Sequence, residues 1–214
     1  SFQQWWMLEQ RVGGRFARQE LLFGGAPKGH WFYQEFQKAY GVTIRDFLDL
    51  SYTTCAWIHH QPRPILTREW YGPLRRWYPP EIVEAFLSGL SLSLPKAKAE
   101  ARLWCEREPY ARQPYCPSPF RQWPLLRDDG RFVPYFPKLL QESLEFGVYD
   151  RLRSPDAARF MKAFGPLFCE HVGRGVEYLG LPFASEEQLQ AALGGDQKVT
   201  DFLMHGVAQS CVLL

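Results

Sequence analysis

The chain lacks any uninterrupted apolar stretch near the roughly 20 residues that a membrane-spanning helix needs, so no transmembrane segment is expected. It also lacks a strong charge of either sign. Its 25 Lys and Arg against 23 Asp and Glu leave a net charge of +2, and no global field steers it toward nucleic acid or a lipid surface. Cysteine is scarce. Cys55, Cys105, Cys116, Cys169 and Cys211 are odd in number, widely spaced and without a C-x-x-C pair, which fits a reducing, cytoplasmic compartment. Cys105 and Cys116 with a histidine invite a zinc reading, but four ligands at finger-like spacing are missing. No P-loop, glycine-rich dinucleotide fingerprint, H-E-x-x-H or G-x-S-x-G is present. No internal repeat is visible. The start, Ser1 to Gln10, is polar and aromatic rather than leader-like. An opening Ser leads us to expect a trimmed piece of a longer protein.

The chain is rich in apolar and aromatic mass. Hydrophobic residues make up 46% of the 214 and aromatics 16%, enough to bury a substantial core and to argue against disorder. Charge is unevenly spread. Residues 1–153 carry +5 and residues 154–214 carry −3, a basic front beside an acidic end. Such a balance suits a nucleic-acid surface next to a cation site, and equally a chance distribution.

Periodicity and caps divide the chain. Helices are expected over Phe2 to Phe23, Trp31 to Tyr40 with Gly41 as its stop, and about 44–59, where Thr43 and Asp46 form a capping box. A short helix over Thr67 to Trp77 comes next. Pro79-Pro80-Glu81 opens another, and one with Pro95 in its first turn runs from Ser93 to about Glu108. Five prolines in 109–124 exclude a helix there. Asp129-Gly130 between apolar pairs signals a hairpin, and Pro137 to Leu152 reads as one helix. Ser154-Pro155-Asp156 reads as the start of a further helix, which Gly165-Pro166 should kink or divide in two. Ser185-Glu186-Glu187 opens a short helix that stops at Gly194-Gly195. Lys198 to His205 and Val207 to Leu214 read as a terminal β-hairpin. The expected fold class is mainly α: a helical N-terminal region, then a small α/β segment with a terminal β-hairpin. The expected divisions are 1–108, a proline-rich linker, hairpin and helix over 109–153, and 154–214.

His59-His60 sit at a predicted helix end, where adjacent histidines point apart and capping is the plainer role. His171 and His205 read as structural. The informative pair is acidic. Glu170 lies on a helix, and Asp201 lies on the first strand of the terminal hairpin. Carboxylates so gathered can hold Mg²⁺, which activates water and offsets charge on a phosphoryl group.

Phe164-Gly165-Pro166-Leu167-Phe168-Cys169-Glu170-His171-Val172, then Lys198-Val199-Thr200-Asp201-Phe202-Leu203 and Cys211-Val212-Leu213-Leu214, together resemble the opening of a PD-(D/E)XK nuclease-like core. The resemblance spans about 155–214. It implies that Glu170, on the first helix, and Asp201, on the second strand, bind Mg²⁺. It further implies that a following strand brings Glu-x-Lys, whose Lys orients the attacking water. That pair would come just after Leu214, so this chain by itself is expected to be inactive. Pro166, four residues before Glu170, departs from the pattern and bears on where that carboxylate points. The remainder is similar to the helical leader of bacterial proteins that carry such a core, through Phe36-Gln-Lys-Ala-Tyr40-Gly41-Val42, Phe86-Leu-Ser-Gly-Leu-Ser91 and Asp129-Gly130-Arg131-Phe132. The implied activity is phosphodiester hydrolysis in foreign or damaged DNA, in genome defence or repair. Arg75 and Arg76 are candidate phosphate contacts, or surface salt-bridge partners.

Two other readings stand beside this one. A non-enzymatic helical module would dock another protein chain, or a further C-terminal domain, through the aromatic surface around Tyr110 to Trp123. Cys211-Val212-Leu213-Leu214 also matches a prenylation box. The stretch before it carries Lys198 alone between 195 and 210, no polybasic second signal, and it reads as a strand rather than a flexible tail. The excess of Arg (18) over Lys (7) further hints at a GC-rich bacterial genome.

Overall fold

A computed structural model describes residues 13–24, 26, 29–58, 65–108, 118–180, 182–194, 202–205 and 211–213, the last two stretches as backbone. The chain divides into two compact units, Ser1–Ala157 and Ala158–Leu214, and its class is mainly α, as expected. None of its described helices is long and apolar enough to cross a membrane.

The first unit begins with α1, residues 13–19, which widens into the π-helical turn Glu20–Gly24. The earlier part of the expected helix, and the connector at 59–64, lie outside the described residues. Then come α2 (Trp31–Tyr40), α3 (Ile44–Ile58), a 3-10 helix (Glu69–Leu74) and α4 (Pro80–Gly89). Their termini obey the cap chemistry. Gly41 takes the left-handed conformation, φ 68°, that ends α2. Thr43 Oγ1 accepts from the Asp46 N–H at 3.1 Å, and Asp46 Oδ2 accepts from the Thr43 N–H at 3.2 Å. The helices bury a run of rings. Phe36 meets Phe47 at 5.2 Å, Phe47 meets Phe86 at 5.6 Å and Tyr71 meets Phe86 at 6.3 Å between centroids. Each such ring, fully buried, contributes about 1.5–3 kcal/mol by leaving water. Tyr71 is wholly enclosed, and its hydroxyl donates to Thr54 Oγ1 at 2.7 Å, while Thr54 donates to the Leu50 carbonyl.

β1 (Ser91–Ser93) leads into α5 (Leu94–Arg107), and β1 pairs in parallel with β2 (Leu125–Asp128) from Ser91↔Leu125. The hairpin to β3 (Arg131–Pro134) turns at Asp129 and Gly130, both at positive φ, as Asp-Gly favours. The sheet order is β1-β2-β3, and Leu66 bridges to Phe132 at its edge.

The single helix expected over Pro137 to Leu152 is two, α6 (Pro137–Glu145) and α7 (Gly147–Arg153), broken at Phe146. Gly147, the first residue of α7, packs directly on a ring. A Cβ there would lie 2.6 Å from Phe47 Cζ, so a larger residue would clash. Gln19 secures the joint, accepting the Val148 N–H at 3.1 Å and donating to the Leu144 carbonyl. Beside it the buried Glu145 carboxylate is held by Arg15 and Gln141.

The second unit contains α8 (Ala157–Tyr178) from its second residue on, β4 (Phe183–Ser185), α9 (Glu186–Leu193), β5 (Phe202–His205) and β6 (Cys211–Leu213). α8 starts three residues after Ser154, which instead caps the C-terminus of α7 in a helical conformation. Pro155 cannot donate its missing N–H to that helix, and Asp156 takes the place before the first turn. α8 is not divided at Gly165-Pro166. α9 carries a complete capping box, Ser185 with Gln188, and ends on Gly194 at φ 71°. β4, β5 and β6 form an antiparallel sheet in that order, Ser185↔Phe202 and His205↔Cys211 being register partners.

Candidate functional site

The candidate site starts from the spacing of residues along α8. At 3.6 residues per turn, Glu170, Arg174 and Glu177 stand on one helical face, while Phe160, Phe164 and Phe168 stack on another at 5.0 and 5.8 Å. Phe160 and Phe164 are buried, and Phe168 is partly exposed. The polar face lines a cleft of about 420 Å³ in the second unit, closed on its other side by Phe183 and Ser185 of β4 and by Glu186 and Glu187 of α9.

Four carboxylates and one guanidinium therefore share this cleft. Glu186 and Glu187 occupy the first turn of α9, where the helix dipole favours negative charge. Glu170 is 65% exposed and Arg174 is 55% exposed; Glu170 Oε1 is 3.8 Å from the Arg174 guanidinium. A contact so long and so wet binds neither side chain firmly. Glu170 is largely solvated.

Asp201, the second expected carboxylate, lies outside the described residues. Its neighbour Phe202 opens β5 and pairs with Ser185, which lines the cleft. Among the described residues no three His, Cys, Asp or Glu side chains are grouped so as to hold a metal ion. His171 is next to Glu170 in sequence, yet it is not among the residues lining the cleft. His59 and His60 are outside the described residues, and so is Cys116, the companion of the exposed Cys105 in the zinc reading. Cys211 to Leu213 form β6 against β5. Arg75 and Arg76 are exposed after the 3-10 helix, with the Arg76 guanidinium 5.9 Å from the Trp77 ring. Most of the Tyr110 to Trp123 surface is outside the described residues; Phe120 packs on Tyr135 at 4.5 Å.

Arg174, Glu177, Glu186 and Glu187 were not singled out from sequence. The spacing of Glu170, Arg174 and Glu177 carries the signal for the first two. Nothing in Phe183-Ala184-Ser185 announces a strand, and without β4 the far wall of the cleft is invisible. Comparison of the chain with protein-family models, with curated proteins and with solved structures finds no match.

Proposed function

We propose that the second unit is the opening of a metal-dependent, PD-(D/E)XK-type nuclease core, and that Glu170 and Asp201 supply its first carboxylates. One observation carries this. The helix bearing Glu170 is followed by an antiparallel sheet in which β5, the strand entered directly after Asp201, is second in chain order and pairs at Ser185 with a residue of the Glu170 cleft. α9 lies between β4 and β5, and the resemblance calls for an Asp on the second strand after the helix that bears the Glu. The donor chemistry also fits: Mg²⁺ favours oxygen ligands, keeps several waters and takes only one or two carboxylates, and Glu170 is solvated and loosely paired.

When bound, Mg²⁺ supplies water activation and charge stabilisation at the phosphoryl group. Glu170 and Asp201 hold that charge at the cleft. Arg174, which lines the same cleft, would offset part of the carboxylate surplus and offer its guanidinium to a substrate phosphate. The class of reaction is phosphodiester hydrolysis in DNA, in defence against foreign DNA or in repair. The resemblance calls for a Glu-x-Lys on a following strand to complete the set.

The test is cleavage of duplex and single-stranded DNA by the full-length protein with Mg²⁺. Loss of a ligand costs at least what loss of a ligand's supporting partner costs, about 10–100-fold. Glu170→Gln and Asp201→Asn should each remove activity to that degree or more. Parent-like rates in either variant, or a following sequence without Glu-x-Lys, overturn the assignment.

A further inference from the structure

The first unit contains a separate cavity of about 480 Å³, walled by α5, the 3-10 turn Pro119–Arg121, α6 and α7. Its size is that of a small-ligand site. Its most unusual component is Arg151. This side chain belongs to a residue only 5% exposed, and a buried cation is costly unless something answers its charge. No carboxylate lies within ion-pair distance of it among the described residues. It donates to the Gln122 carbonyl at 2.7 Å and to the Gly89 carbonyl at 3.4 Å, and it lies 3.8 Å over the Tyr40 ring. These partners fix the guanidinium without neutralising it, and a guanidinium has five N–H donors in all.

The adjacent carboxylate acts on Arg151 only from beyond ion-pair distance, for Asp150 Oδ2 is 2.9 Å from Arg121 Nε. Three arginines, Arg107, Arg121 and Arg151, thus line the cavity against two carboxylates, Glu100 and Asp150, and Trp104 and Trp123 line it with them. Arg107 Nε is also 3.3 Å from Glu108 Oε1 and Arg121 Nε 2.9 Å from Asp150 Oδ2, so among the described residues the lining cation left without an ion-pair partner is Arg151. Guanidinium forks match phosphate oxygens, and indole faces match a planar ring.

We infer that the cavity beneath Trp104 and Trp123 binds a nucleotide, its phosphate answered by Arg151, Arg107 and Arg121 and its base set against the tryptophans. The ligand is a planar base carrying a phosphate, whether a free mononucleotide or the 5′-phosphorylated end of a single strand. The site is formed wholly by the first unit and does not depend on the metal-binding role of Glu170.

Tryptophan fluorescence and calorimetric titration of the chain in EDTA test it, with dTMP, thymidine, inorganic phosphate and a short oligo(dT) with and without a 5′-phosphate as probes. Saturable binding of dTMP, at least tenfold tighter than thymidine, is expected. Tighter binding of the phosphorylated oligonucleotide than of dTMP identifies a strand end as the ligand, and the reverse identifies the free nucleotide. Loss of one charge-assisted contact should weaken binding about tenfold in Arg107→Gln, whose side chain is on the surface. Trp123→Leu should weaken dTMP more than inorganic phosphate. Circular dichroism confirms that both variants fold. Equal affinity for thymidine and dTMP, absence of saturable binding, or unchanged binding in both variants overturns the site. Because EDTA removes Mg²⁺, none of these outcomes bears on the nuclease assignment.

Discussion

Asp150 is a residue whose surroundings pull in opposite directions. Burial raises its carboxyl above the ordinary value, while Arg121 first, then Arg151 and Arg153, draw it back without cancelling the rise. The folded protein therefore holds this proton above the ordinary carboxylate value of about 3.9, where the unfolded chain has released it. A raised folded value means that stability falls as pH rises through that window. Asp150→Asn has no such proton to lose. Urea unfolding of the two proteins from pH 3.5 upward should show the variant gaining on the parent as pH rises, then a constant difference. A difference constant throughout, or of opposite slope, would show that burial does not dominate at this carboxyl. Such competition was hidden in the sequence, because Asp150 and Arg121 are remote along the chain. Glu170, by contrast, was legible as a candidate since an acidic residue on an amphipathic helix shows its face through spacing alone.

Among the elements, chain reversals and caps were the readable parts. Gly41, Thr43 with Asp46, Asp129-Gly130 and the helix start at Ser185 act through near neighbours in the chain, and local chemistry decides them; the Gln188 half of the Ser185 box appears only in the structure. The short strands β1 and β4 were not readable. Each has three residues, too few for alternation to register, and each exists because a distant strand pairs with it. The need for glycine at the start of α7 likewise depends on a distant ring. Phe47 is fully buried and cannot retreat, so Gly147→Ala should destabilise the first unit by about 1–3 kcal/mol through overpacking. Gly14→Ala, a helical position where an added Cβ meets nothing within 4 Å, should instead stabilise it by about 0.5–1 kcal/mol. Denaturant midpoints measure both, and an unaffected Gly147→Ala protein would mean that the Phe47 ring gives way.

At the scale of the molecule, the two units divide the chemistry. The first, Ser1–Ala157, is an aromatic-cored helical body whose buried arginine faces a ligand-sized cavity. The second, Ala158–Leu214, carries an acidic cleft between α8, β4 and the start of α9. The helical class and the acidic character of the end segment were legible from composition and period. The cavity was not, since its arginines and tryptophans come from helices and a turn that only tertiary packing assembles. The central claim is that Glu170 and Asp201 hold one divalent cation together. Paramagnetic broadening of amide resonances by Mn²⁺, a close stand-in for Mg²⁺, tests it most directly. The amides around Glu170 and those around Asp201 should broaden together at the same low Mn²⁺ level, and both effects should vanish in Glu170→Gln. Broadening at one carboxylate without the other, or its persistence in that variant, would contradict a shared site.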